Sequence, residues 1–364
     1  MNREKKTTTP EIRFPWFTGD WAKYKLQTIV DSIDTGKSIF DKDAYAGKYP
    51  ILGSTSVIGY NDEYDYEGDF ILTARVGVNA GSLYRYAGKV KISDNTVFIQ
   101  ATQNIEFLYY LLAQFDLKKL SFGTGQPLVK TSELKKLELM MPTNLNEQIK
   151  IGEHFSNLDT LIALHQHQLD DMKEYKKGLL QKMFPKKGEK VPELRFTEFT
   201  EDWEEQKLNE VTSVAPFKPY LKEAEKEGDY EVIQQGDNPV LGYAYGEPFA
   251  DFEKVTLFGD HTLSLYKPIS PFFVATDGLK ILYSERIEGD LYYYLLERYK
   301  PDSEGYKRHF SILKECVCSY PKDREEQRKI GDFFNSLDKT ITLHQQQLDD
   351  MKEYKRGLLQ KMFV

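Results

Sequence analysis

QLDDMKEYKKGLLQKMF, residues Gln168–Phe184, returns 179 residues later as QLDDMKEYKRGLLQKMF, Gln347–Phe363, with Lys177 against Arg356 as the only difference. The likeness extends back to Glu147 and Glu326, and 28 of these 38 positions are identical. A second stretch, PEIRFPWFTGDWAKYKL from Pro10 to Leu26, reappears as PELRFTEFTEDWEEQKL from Pro192 to Leu208, with 10 identities in 17. The chain thus reads as a variable domain followed by a fixed helix, twice. A period this long implies duplicated domains rather than a short-repeat solenoid. The intervening stretches, about Gln27–Asn146 and Asn209–Glu325, are unlike in sequence. A chain that keeps its connectors and varies its globular parts presents two different surfaces on one frame.

In the first fixed segment Ile151, Phe155, Leu158, Ile162, Leu169, Met172, Leu179 and Met183 are apolar. With His165 and Lys176 filling the gaps, the steps alternate four and three, the spacing of a coiled-coil seam. The second copy runs Ile330, Phe334, Leu337, Ile341, His344, Leu348, Met351, Lys355, Leu358, Met362. Each helix carries a seam that needs a partner, and the nearest partner is the other copy. A tandem duplication pairing antiparallel creates a pseudo-two-fold axis, and 38 residues give a rod of roughly 57 Å. His165 and His344 read as polar register-setters, and the lysines as snorkelling stems. Tyr175, Leu180, Phe184 and their copies Tyr354, Leu359, Phe363 fall outside the seam, as a helix-end cluster or as a docking patch for a partner present twice.

The expected architecture is α+β: two mixed α/β domains, residues 1–145 and 186–324, each followed by a long helix, residues 146–185 and 325–364. Strand-like runs with Gly and Asn turns dominate the variable parts, each interrupted by one helical stretch, IEFLYYLLAQF and GDLYYYLLERY. Each ends in a strand and a proline, Pro142 or Pro321, before the seam begins.

Composition sets outer limits. At 364 residues, 40% hydrophobic and 29% charged, the chain is ordinary for a globular protein. No apolar run approaches the ~20 residues of a membrane span, and MNREKKTTTPEIRF lacks the apolar stretch of a signal peptide, so a cytoplasmic location is expected. The two cysteines, Cys316 and Cys318, fall 179 residues after Leu137 and Leu139, which makes them buried strand positions rather than half a metal site. The net charge of −8 argues against a generally basic surface. A local one is open: Phe70–Ser93 holds four cations (Arg75, Arg85, Lys89, Lys91) and no acids, directly after Asp62, Glu63, Asp65, Glu67 and Asp69. Polar residue types that read base edges or grip phosphates are Arg75, Asn79, Ser82, Lys89, Lys91, Gln126 and Lys130 in the first domain. In the second they are Gln234, Gln235, His261, Thr262, Lys280 and Arg308.

No catalytic set is evident. Gly36-Lys37-Ser38 has Asp31 where a phosphate-binding loop needs its first glycine. Neither an adenosylmethionine motif nor a nuclease cluster is found. The residues describe a reader without chemistry of its own; the competing readings are a self-sufficient DNA methyltransferase or nuclease, and a coiled-coil scaffold with no DNA role.

These features resemble the DNA-specificity subunit of type I restriction-modification enzymes. The likeness is carried by Pro10-Glu11-Ile12-Arg13-Phe14 and Pro192-Glu193-Leu194-Arg195-Phe196, each followed by Trp21 or Trp203. It also rests on Ser121-Phe122-Gly123-Thr124-Gly125-Gln126-Pro127, and on the exits Pro142…Glu147-Gln148…Ile151 and Pro321…Glu326-Gln327…Ile330, leading to Leu158-Asp159 and Leu337-Asp338. The second half offers Tyr306-Lys307-Arg308-His309-Phe310 in place of the GTGQP loop. The resemblance covers essentially the whole chain. It implies that each variable region reads one half of a split, asymmetric double-stranded DNA target while the paired helices fix the spacer. Two DNA adenine methyltransferase subunits would dock on the helices and bring S-adenosylmethionine. Two restriction subunits would add ATP- and Mg-dependent steps where the system restricts. The chain itself would hold no cofactor or metal.

Overall fold

The computed structural model describes residues 8–39, 46–120, 127–303, 305 and 307–364. In chain order the first half contains β1 (Ala22–Lys25), β2 (Ser32–Thr35), β3 (Tyr49–Leu52), β4 (Val57–Asn61), β5 (Tyr66–Ala74), β6 (Leu83–Ile92) and β7 (Thr96–Gln100). These are followed by α1 (Ile105–Phe115), α2 (Thr131–Lys136), β8 (Glu138–Met141) and α3 (Leu145–Met183). The second half runs β9 (Glu204–Lys207), α4 (Leu208–Val211), β10 (Ser213–Ala215), β11 (Tyr230–Ile233), β12 (Val240–Ala244), β13 (Val255–Gly259) and β14 (Leu265–Tyr266). Then come β15 (Phe272–Val274), β16 (Leu279–Tyr283), α5 (Gly289–Tyr299), α6 (Phe310–Glu315), β17 (Val317–Tyr320) and α7 (Arg324–Lys361). Among the described residues no helix is long and apolar enough to cross a membrane.

Two compact units divide this chain, and the division runs through both long helices. The first is Met1–Gln166 with Gln347–Val364; the second is His167–Gln346. Each therefore contains one variable domain, the beginning of its own long helix and the end of the other.

The variable domains, so unlike in sequence, share a strand order. The first unit has a six-stranded sheet, β2-β7-β5-β6-β3-β4, in which β3 runs parallel to β6. The second repeats it in two pieces, β10-β16-β13-β14 and β12-β11-β15, with β11 parallel to β15. The difference lies in one strand. Where the first unit has the 10-residue β6, the second has Lys267-Pro268-Ile269-Ser270-Pro271 between β14 and β15. Two prolines remove ladder donors and break the strand. A small two-stranded sheet, β1 with β8 or β9 with β17, closes each domain. Leu139 and Cys318 are buried at matching places in β8 and β17, and burial pushes the Cys318 thiol up to about 12.

Within each unit the helix segments run antiparallel, because rising numbers on one meet falling numbers on the other. In the first, Lys352 reaches Gln166 at 3.2 Å, Lys355 pairs with Asp159, and the Phe363 ring lies 5.8 Å from Phe155. In the second, Lys173 reaches Gln345 at 3.3 Å, Lys176 reaches Asp338 at 2.9 Å, and Phe184 lies 6.3 Å from Phe334. Leu158, Ile162, Leu169, Met172, Leu179, Met183, Leu337, Ile341, Leu348, Met351, Leu358 and Met362 are all buried or half-buried, whereas Leu161, Leu164 and Leu343 are exposed.

Of the two readings of the helix ends, burial fits the helix-end cluster. Leu180, Phe184 and Phe363 are buried and Leu359 is partly so, which removes them from any docking patch. The last turn of each helix is core: Phe363 packs on Trp21, Phe107 and Phe155, and Phe184 on Trp203, Tyr299 and Phe334. Of the six residues, Tyr175 and Tyr354 stay exposed.

What holds each variable domain to its helix is a buried carboxylate at the helix start. The Arg13 guanidinium donates to Glu147 through Nε at 2.7 Å and Nη2 at 2.8 Å, and the Trp21 indole N–H donates at 3.3 Å. Arg195, Trp203 and Glu326 repeat this at 2.7, 2.8 and 3.2 Å. The side chains of Glu147 and Glu326 are 1% exposed, and the hydrogen-bonded carboxylate raises each arginine. Close contact is completed by Gly152 and Gly331, where an added Cβ would lie 2.8 Å from the Phe107 nitrogen or 3.1 Å from that of Leu291. Removing the cation should strand the buried charge: Arg13→Ala is expected to destabilise the first unit by about 3 kcal/mol. Denaturant unfolding monitored through Trp21 fluorescence checks this, and a loss within about 0.5 kcal/mol would show the triad to be incidental.

Candidate nucleic-acid interface

Three backbone hydrogen bonds build the same platform in both domains. At the end of β5, the Ala74 N–H donates to Ser82 O at 3.2 Å and the Arg75 N–H to Asn95 O at 3.0 Å, while Arg75 O accepts the Val129 N–H at 2.9 Å. At the end of β13, the Gly259 N–H donates to Ser264 O at 2.9 Å and the Asp260 N–H to Gly278 O at 2.8 Å. Asp260 O then accepts the His309 N–H at 2.8 Å. A strand end, its hairpin return, the turn before the next strand and the segment before a short helix are thereby joined. The stretch ending in His309 occupies the place of Pro127–Val129. Residues 121–126, including Gly123–Gln126, and Tyr306 lie outside the described residues.

The side chains on this shared backbone differ. In the first domain Arg75, Asn79, Ser82 and Lys130 gather around the 76–81 turn, which needs positive φ at Gly77 and Gly81. The 127–129 segment pairs with it through the Gly77 N–H to Pro127 O bond at 3.1 Å and the Val76–Leu128 bridge. Arg75 extends with one backbone acceptor, Asp94 O, at 3.4 Å, and Asn79 and Lys130 are exposed. Gln126 lies outside the described residues.

Lys89 and Lys91 are not part of this group. The β5–β6 register sets Glu67 opposite Lys89, so Lys89 lies 3.7 Å from Glu67 and Lys91 3.2 Å from Asp65. Arg85 sits 3.7 Å from Glu106 and over the Tyr109 ring. Acidic and basic runs that are separate along the chain cancel across a hairpin.

In the second domain the structure brings Gln235, His261, Thr262 and Lys280 together. The Gln235 Oε1 accepts the His261 N–H at 3.1 Å, Thr262 and Ser264 hydroxyls are 2.8 Å apart, and Ser264 Oγ accepts the Gly236 N–H at 2.9 Å. Gln234 folds onto Asn238 O at 3.0 Å, and Arg308 is exposed beside His309. Asp260 is the central residue that sequence reasoning missed, and His309 enters there only as part of the segment standing in for the GTGQP loop. Asp260 is 2% exposed, takes the Phe310 N–H at 2.8 Å and lies 4.0 Å from Lys280 Nζ. His309 is fully buried, its Nδ1 3.2 Å from Asp260 O. Where the first domain has half-buried Arg75, which donates to Asp94 O, the second uses a buried aspartate that holds Lys280 and the α6 start.

The arrangement offers hydrogen-bond donors and acceptors on turns over a rigid sheet, which suits base edges and phosphates. Among the described residues no three His, Cys, Asp or Glu side chains are placed to hold a metal ion.

Comparison with known proteins agrees with this geometry. The family described as type I restriction modification DNA specificity domain matches residues 18–174 and again 200–353. The type I restriction enzyme MjaVIII specificity subunit of Methanocaldococcus jannaschii is 25% identical over 398 aligned residues, covering 94% of this chain and 89% of that protein. The putative MjaX specificity subunit of the same organism is also 25% identical, covering 98% and 94%. In fold, the chain resembles the crystal structure of a type I restriction-modification S subunit from M. genitalium, with a TM-score of 0.71, 20% identity and coverage of 98% and 99%. With both matched segments falling on the two halves of the duplication, the chain belongs to the type I restriction-modification DNA specificity subunit family.

Proposed function

We propose that each domain reads one half of a bipartite, asymmetric DNA target, and that the long helices set the unspecified spacer between the halves. The observation that carries this is the shared backbone platform fitted with unlike side chains: Arg75, Asn79, Ser82 and Lys130 in one domain, Gln235, His261, Thr262 and Lys280 in the other. A common platform positions; different side chains specify. The chain supplies no catalytic step. Two copies of a DNA adenine methyltransferase subunit bring S-adenosylmethionine and act on a flipped base, with restriction subunits where the system has them. Docking of a partner present twice is supported by a repeated surface. Exposed Tyr175 and Leu194 share a surface pocket with the Lys182–Glu193 ion pair at 3.4 Å, and in the other copy the Lys361–Glu11 pair at 3.0 Å adjoins exposed Ile12, with Tyr354 exposed on the same helix.

Mapping methylated adenines across the genome with and without this chain should reveal one split motif that depends on it. Replacing residues 209–325 with a foreign recognition domain should change one half of that motif only; a change in both halves would defeat the modular reading. At the level of single residues, Arg75→Ala should weaken DNA binding about tenfold and lower the salt slope by about 1. Lys91→Ala, whose cation is already paired with Asp65, should stay within about twofold. A scaffold without a DNA role would show neither binding nor this contrast in a filter-retention titration.

A further inference from the structure

Each unit contains a polar lock inside its helix pair. In the first, Lys355 Nζ pairs with Asp159 Oδ1, the Tyr110 hydroxyl donates to Asp159 Oδ2 at 2.6 Å, and the ammonium lies 5.3 Å from the Tyr110 ring centroid. In the second, Lys176 lies 2.9 Å from Asp338 Oδ1, the Tyr294 hydroxyl donates to Asp338 Oδ2 at 2.8 Å, and the ammonium lies 5.2 Å from the Tyr294 ring. Glu297 adds a second carboxylate at 3.0 Å from Lys176. The lysine side chains are 20% and 12% exposed. Each lock joins three elements: one long helix, the other, and the recognition-domain helix α1 or α5.

The apolar seam alone cannot fix the register. Its four-three spacing repeats every heptad, so a slide of seven residues returns much of the apolar pattern to apolar partners. The locks do not repeat. Seven residues either side of Asp338 are Gly331 and Gln345, and seven either side of Asp159 are Gly152 and Gln166. A slid helix pair would set each lysine against glycine or glutamine and leave each aspartate without its cation, stranding two charges per lock in a half-buried seam.

We propose that these lysine–aspartate–tyrosine locks, remote from the DNA-reading loops, determine which spacer length the chain accepts. Asp159, Lys355, Asp338 and Lys176 are positioning residues: they act by permitting one helix register. This rests on the reading of the helices as a spacer gauge.

The test uses the full chain with its methylation subunits and a DNA set in which both target halves are fixed and the gap varies by single base pairs. Wild type should methylate one gap length. Asp159→Asn with Asp338→Asn should raise gap lengths about three base pairs away, the span of a seven-residue slide, to within about tenfold of the native one while half-site preference stays unchanged. Lys355→Met with Lys176→Met, which removes the cations without burying new polar groups, should broaden the choice in the same way. Leu158→Ala with Leu337→Ala, which weakens the apolar seam and leaves both locks, should keep a single gap. Retention of one gap length by both lock variants, or equal broadening by the leucine variant, would overturn the proposal. A wild-type chain that accepts several gaps equally would remove the spacer-gauge reading itself.

Discussion

Glu147 and Glu326 are carboxylates at the starts of the two long helices, and almost no solvent reaches them. An ion so placed is tolerated only when paired and hydrogen-bonded. Arginine and tryptophan from the segment opening each half satisfy it, so the first residues of a recognition domain, its closing β-pair and its helix become one body. The turn positions that carry Arg75 or Asp260 are meaningful only because that body is rigid. Repetition of the triad in both halves explains why PEIRF and PELRF persist while most of each domain differs.

The duplicated frame was legible because its physics is local and periodic. Heptad spacing announced the helices, and the Arg, Trp and Glu positions announced themselves by recurring. The strand order common to both domains was not legible. It is written in ladder register rather than residue identity, and Pro268 with Pro271 breaks the one strand whose length would have shown the match. Part of the cation run was illegible for a related reason: hairpin pairing, invisible in linear sequence, sets Asp65 and Glu67 against Lys91 and Lys89 and separates them from Arg75. Helix-end hydrophobes such as Phe184 and Phe363 stayed ambiguous in sequence, since a residue off the seam can still be core when a third element covers it.

The recognition loops show what duplication leaves free. Three backbone hydrogen bonds join the same four segments in both domains, yet one platform bears a half-buried arginine and the other a buried aspartate that organises Lys280 and the start of α6. Changing the side chains on such a platform costs little of the surrounding fold, whereas changing the triads or the locks disturbs several elements at once. That division gives a physical reason for target specificity to vary while the gauge stays constant.

The account turns on the long helices acting as the gauge, and shortening both by one heptad measures this directly. Deleting residues 164–170 and 343–349 keeps both triads and both lysine–aspartate locks, and removes about 10.5 Å of helix from each rod. Methylation mapping of the shortened chain should then show both target halves unchanged and the gap between them reduced by about three base pairs. An unaltered gap would contradict it.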